Sequence, residues 1–157
     1  MMFQQNLTLK KAMRGAVAVE LALLLIPMLM LALGAAEFGR ALYQYNTLVK
    51  STRDAVRHLS HLNPAGSGYL EAQNEAKCLA VYGKTECGGQ PLAPNLSTDM
   101  VTFSTINTTT TEGTPITLVE VKITGYAFNF LLDPRTFWGG GEDSITFGDI
   151  TATMRQS

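Results

Sequence analysis

Apolar side chains fill nearly every position from residue 17 to residue 36, "VAVELALLLIPMLMLALGAA", and Glu20 is the only charge among those twenty residues. At about 1.5 Å of rise per residue, such a helix spans roughly 30 Å, the hydrocarbon thickness of a bilayer. The pattern then changes without breaking. Phe38, Leu42, Tyr45, Val49, Thr52, Val56 and Leu59 recur at steps of three and four, and Gln44, Lys50, Arg53, Asp54 and Arg57 fill the opposite face. "NPAG" at residues 63–66 supplies a stop, because the residue before a proline avoids the α region. The spacing therefore predicts one helix from about residue 16 to residue 62, transmembrane over 16–36 and amphipathic over 37–62. Pro27 lies inside the apolar run and removes the backbone donor that would meet Leu23, so a kink is expected there.

Beyond the stop the periods are shorter. "YLEAQNEAKCLAVY" predicts a second helix over residues 69–82, ended by Gly83 as a left-handed cap. "MVTFSTI" (100–106) and "ITLVEVKITGYAF" (116–128) alternate and are rich in β-branched residues. The polar "NTTTTEGTP" between them predicts an antiparallel hairpin, and "SITFGDITATMR" (144–155) a third strand bulged at Gly148. The fold class expected is α+β: a long N-terminal helix packed on a small antiparallel sheet of about three strands, with a short second helix. The organisation expected is a basic leader over 1–15, a transmembrane helix over 16–36, an amphipathic helix over 37–62 and a head domain over 63–157.

Charge adds an orientation and removes a class of partner. Lys10, Lys11 and Arg14 precede the apolar run with no acid among residues 1–14, a bias that keeps the N-terminus cytoplasmic and sends the rest across. The net charge of −1 over 157 residues gives no basic face for nucleic acid. The two cysteines, Cys78 and Cys87 in "CLAVYGKTEC", favour one disulfide if this part of the chain is exported. Such a bond closes a short loop and stabilises by roughly 2–3 kcal/mol.

Candidate chemistry is sparse. His58 and His61 are three apart on a helix, with no third ligand placed beside them, so surface histidines are expected and no metal. "GGG" at 139–141 lacks the Lys and Ser/Thr of a phosphate loop. Glu37 and Arg40 lie one turn apart at the membrane exit and are expected to form a solvated interfacial pair. Phe137 and Trp138, in "NFLLDPRTFWGG", either offer a contact to a partner head or complete a thin core. Neither catalysis nor a cofactor is expected.

Glu20 remains to be explained, since an acid in mid-bilayer costs about 2.5–3.5 kcal/mol and less towards the edge. "RGAVAVELALLLIPMLMLALGAAEFGRALYQYNTLVKSTRDAVRHL" resembles the N-terminal signature of the TadE-like family of the Tad (Flp) pilus system. The resemblance lies in Gly15, Glu20 five residues on, the mid-helix Pro27, the "EFGR" exit and the basic amphipathic continuation. "VEVKITGYAFNF…ITATMR" also resembles the family's C-terminal strands, and Leu21 departs from the aromatic residue that commonly follows the glutamate. The resemblance implies cleavage between Gly15 and Ala16 by a prepilin peptidase. It implies that Glu20 acts in assembly, pairing with the N-terminal amine of a neighbouring subunit. It further implies a minor pilin or pseudopilin, single-pass in the inner membrane with a periplasmic head. The partners implied are a related pseudopilin, the major Flp-type pilin and the inner-membrane assembly platform.

Two other readings fit the same residues. The apolar run is also a signal-peptide h-region, with Gly34, Ala35 and Ala36 before a cut that would release a binding module from about Glu37. An unprocessed envelope scaffold has the same topology as the pilin reading until something cuts the leader.

Overall fold

Hydrogen-bonded helix runs without interruption from the N-terminal leader to the end of the amphipathic pattern: α1 is Phe3–Ser60. The structure, a computed structural model, describes residues 3–131 and 143–156, with the side chains of residues 3–14 not described. It divides into two units, Met1–Gly39 and Arg40–Ser157. α1 supplies the whole of the described first unit and continues as the first element of the second.

In the first unit the helix continues through Pro27. Residues 15–60 contain an 18-residue window long and apolar enough to cross a membrane. Its side chains are covered by no protein: Leu23, Met28 and Leu31 are 68%, 69% and 76% exposed. A helix that is apolar all round and bare of protein fits a single membrane span, where lipid replaces the missing core.

The second unit has an α+β fold whose core begins on α1. Leu48, Ala55, Val56 and Leu59 are fully buried. The helix ends as the Asn63-Pro64 pair predicts: the Asn63 side chain accepts a bond from the Ala65 N–H at 2.9 Å, and its carbonyl accepts one from Gly66 N–H, also at 2.9 Å. The second helix, α2, is Tyr69–Tyr82, and Gly83 closes it at φ +73° with its N–H bonded to Leu79 O at 3.0 Å. Ala72, Ala76 and Ala80, spaced four apart, form its buried stripe. Cys78 and Cys87 are disulfide-bonded, tying the last turn of α2 to the loop beyond it.

A 3-10 turn over Thr98–Met100 leads into β1 (Val101–Thr109), which pairs antiparallel with β2 (Pro115–Ile123). Two short strands follow, β3 (Ala127–Asn129) and β4 (Ser144–Thr146), and then β5 (Ile150–Arg155). β2 is the middle of a three-stranded antiparallel sheet in the order β1-β2-β5. Period-two alternation sets its buried face: Val119, Val121 and Ile123 point into the core, opposite Met154, Ala152 and Ile150 of β5.

Two predicted strands are each split. The run over 116–128 breaks where Gly125 turns the chain at φ +70°, a conformation open to glycine. The run over 144–155 breaks at residues 147–149, where Phe147 N–H bonds Tyr126 O at 2.8 Å and leaves the ladder. The freed pieces, β3 and β4, pair with one another as a separate two-stranded ribbon, Phe128 opposite Ile145.

The buried face of α1 follows the predicted stripe at Thr52, Val56 and Leu59, with Lys50, Arg53, Asp54 and Arg57 exposed opposite, and departs from it nearer the apolar run. Phe38 and Leu42, expected on the apolar stripe, are 66% and 45% exposed, whereas Gln44, expected on the polar face, is buried.

Candidate functional site

The candidate processing and assembly residues sit together on the first unit. Gly15, Ala16 and Glu20 are helical and exposed. Ala16 and Glu20 are one turn apart on one face, as an i, i+4 pair must be. The other positions one turn from Glu20 are Val17, Leu23 and Leu24, so α1 offers its carboxylate no side-chain cation at those spacings.

Arg40 opens the second unit, four residues beyond the apolar run. Its guanidinium donates to the Asn129 carbonyl and lies 4.2 Å from the centre of the Phe128 ring. An arginine over an aromatic face keeps its charge while its stem covers apolar surface. Phe128 itself is 1% exposed and stacks on Phe147 at 6.2 Å, with Phe130 edge-on at 5.5 Å. Phe147 in turn meets Tyr45 of α1 edge-on at 5.6 Å and Tyr126 at 5.5 Å. The phenol of Tyr126 donates to Gln44 Oε1 at 2.9 Å, in buried surroundings. Burial pushes the Tyr126 pKa up, and the Arg40 cation offsets part of that rise. This aromatic group fixes the β3–β4 ribbon to the first turns of α1 in the second unit.

Sequence reasoning did not find that group. It placed Arg40 with Glu37 alone, and no signal in a single chain ties residue 40 to residues 126–130. The clue available was local: six aromatic residues, Tyr126, Phe128, Phe130, Phe137, Trp138 and Phe147, within 22 positions of a thin head. Phe137 and Trp138 lie outside the described residues. His58 Nε2 is 2.9 Å from Glu75 Oε2, a half-buried contact between α1 and α2, while His61 is exposed. Among the described residues no group of three or more His, Cys, Asp or Glu side chains is placed to hold a metal ion.

With this geometry in hand, the comparison with known families is direct. Residues 15–57 match the family model for TadE-like proteins. The chain carries a TadE-like N-terminal segment. No curated protein and no solved structure matches the chain. The TadE-like segment starts at Gly15, contains Glu20, Pro27 and Arg40, and stops three residues short of the end of α1. It thus takes in the exposed apolar helix of the first unit and most of the helical base of the second. α2, both sheets and the disulfide lie outside the matched residues, including the C-terminal strands in which a family resemblance was also read.

Proposed function

We propose that this protein is a minor pilin or pseudopilin of a Tad (Flp, type IVc) pilus system and takes part in pilus assembly through its N-terminal helix. The observation that carries the reading is the TadE-like segment, with Gly15 and Glu20 at the head of an apolar helix whose side chains have no protein cover. In this reading the chain crosses the inner membrane once, with the second unit in the periplasm. A prepilin peptidase cuts after Gly15 and leaves the α-amine of Ala16 as a positive charge at the head of the helix. Glu20 and such an amine offset each other's desolvation in lipid, whereas either alone stays a costly charge. Pairing Glu20 with the amine of a neighbouring subunit favours one axial register over slipped ones. The partners are the major pilin, a related pseudopilin and the assembly platform.

Two linked measurements test this. The intact mass and N-terminal sequence of the protein from its native membranes are expected to begin at Ala16. A chain beginning near Glu37 is a secreted module, and an uncut Met1 is a scaffold; either overturns the pilin reading. Glu20→Gln is expected to leave membrane insertion intact and to abolish pilus formation. Normal pili in that variant would refute the assembly role of the carboxylate.

A further inference from the structure

β1 is one edge of the three-stranded sheet, and it lacks the devices that usually close an edge. Its nine residues pair with β2 one to one without a bulge, and residues 100–111 contain no charge, no proline and no glycine. The other edge, β5, is six residues long and ends on Arg155.

The register fixes which groups of β1 face outward. Thr124 N–H bonds Met100 O at 3.0 Å and Thr110 N–H bonds Thr114 O at 2.8 Å, one pair beyond each end of the ladder. Antiparallel pairs alternate between bonded and unbonded. The even residues of β1 therefore bond β2, and the odd residues turn their N–H and C=O to the open edge. Val101 gives its N–H to Thr98 O and so closes the 3-10 turn. Further along, residues 104–109 are all exposed. Among the described residues none bonds the outward main-chain groups of Thr105, Asn107 and Thr109. Those groups recur about every 6.8 Å, a spacing that another extended strand matches with its own donors and acceptors.

The flanking side chains narrow the chemistry of such a strand. On one face of the sheet it lies beside Thr105, Asn107 and Thr109, and on the other beside Ile106, which is 42% exposed next to half-buried Leu118. The first face suits hydroxyl-bearing residues and the second β-branched apolar ones. Asp99 and Glu112 bracket the uncharged run; both are exposed, and neither is ion-paired among the described residues. Basic residues at the two ends of an incoming strand complement them. The β1 of a second copy does not, because antiparallel pairing of all nine residues sets Asp99 of each copy next to Glu112 of the other.

We infer that the open edge of β1 binds an extended strand of another protein. That strand is uncharged over its paired length, alternates hydroxyl-bearing with β-branched apolar residues, and carries a basic residue at each end. The site needs neither a cleaved leader nor a membrane, so it stands independently of the pilin reading.

The probe is a fluorescent synthetic peptide in which threonine and valine alternate between two terminal lysines, titrated onto the full chain in detergent micelles. Saturable binding is expected, with amide exchange at Thr105, Asn107 and Thr109 slowed about tenfold or more. Ser104 and Ile106, already bonded to β2, should change little. Thr105→Pro removes an outward N–H, leaves the bonds to β2 in place, and is expected to weaken binding about tenfold with an unchanged near-ultraviolet spectrum. A peptide methylated on every backbone nitrogen should not bind, which tests the main-chain bonds without altering the protein. A glutamate-ended peptide should bind roughly tenfold more weakly, with the gap closing at high salt. Absence of binding, or binding without protection at 105, 107 and 109, overturns the inference. Equal binding of the lysine- and glutamate-ended peptides overturns the chemistry assigned to the partner. Protection of the same three amides that rises with protein concentration in the absence of peptide assigns the edge to a second copy and also overturns it.

Discussion

Tyr126 joins the ribbon to α1 through a buried polar contact in the second unit. Its ring is 2% exposed and its hydroxyl reaches Gln44 Oε1 at 2.9 Å, so one bond satisfies two polar groups that would otherwise lie buried and unpaired. Tyr126→Phe removes the donor and strands the amide oxygen, at an expected cost of about 1–2 kcal/mol. The raised phenol pKa gives that cost a pH dependence. The folded state holds the proton more tightly than the unfolded chain, whose tyrosines ionise near 10. The contribution is thus complete below about pH 10 and is lost as pH rises towards the folded pKa, because only the unfolded state then gains by releasing the proton. Urea unfolding of wild type and Tyr126→Phe should show a stability gap that is constant from neutral pH to about 9 and narrows above 10. A gap that widens in alkali would contradict the burial of a neutral phenol.

At the scale of elements, the second half of α1 shows what a helical pattern reveals and what it conceals. Its buried face contains Gln44, Ser51, Thr52 and Ser60 beside Leu48, Ala55, Val56 and Leu59. Hydroxyls can sit there because the helix serves them itself: Thr52 Oγ1 donates to Leu48 O at 2.7 Å and Ser60 Oγ to Arg57 O at 2.8 Å. Sorting residues by polarity therefore placed Thr52, Val56 and Leu59 inside as observed, but put Leu42 inside and Gln44 outside where the first turns of the face differ. Leu48→Ala is expected to cost about 2–5 kcal/mol through the cavity it leaves, and Leu42→Ala less than about 0.5 kcal/mol in chemical unfolding of the full chain in detergent. Equal costs would favour the face predicted from spacing. Other elements were legible because their signals are local. α2 begins at Tyr69 and ends before Gly83 as read, since a left-handed glycine cap stops a helix without help from the fold. The hairpin of β1 and β2 follows from alternation and a polar turn. The ribbon of β3 and β4 was hidden in longer runs because its two breaks depend on Gly125 adopting positive φ and on Phe147 leaving the ladder for Tyr126 and Phe128. The first of these is a choice that glycine permits, and the second is a tertiary preference; neither is written in alternation. The candidate site divides in the same way. Gly15, Glu20 and Pro27 stand out because each breaks an apolar pattern, while Arg40 and Asn129 become partners only once the chain has folded.

Across the whole molecule, cohesion and location are assigned to different parts of the chain. Among the described residues every buried one lies at position 44 or later, and among residues 15–39 none is buried. The first unit therefore contributes no core, and its apolar side chains must be satisfied by lipid or by other subunits. The second unit contains the disulfide, both sheets, α2 and all of the hydrophobic cluster. A domain of about this length buries enough of its surface to fold alone. Residues 40–157 expressed without the first unit into an oxidising compartment are expected to be soluble without detergent and to unfold cooperatively. Their midpoint should match that of the head in the full chain, read from near-ultraviolet circular dichroism. Aggregation, or a midpoint well below that of the full chain, would mean that the apolar helix supports the head as well as locating it. The expected independence matters for assembly, since a helix that owes nothing to its own head is free to exchange lipid for neighbouring helices at no cost to the folded domain it carries.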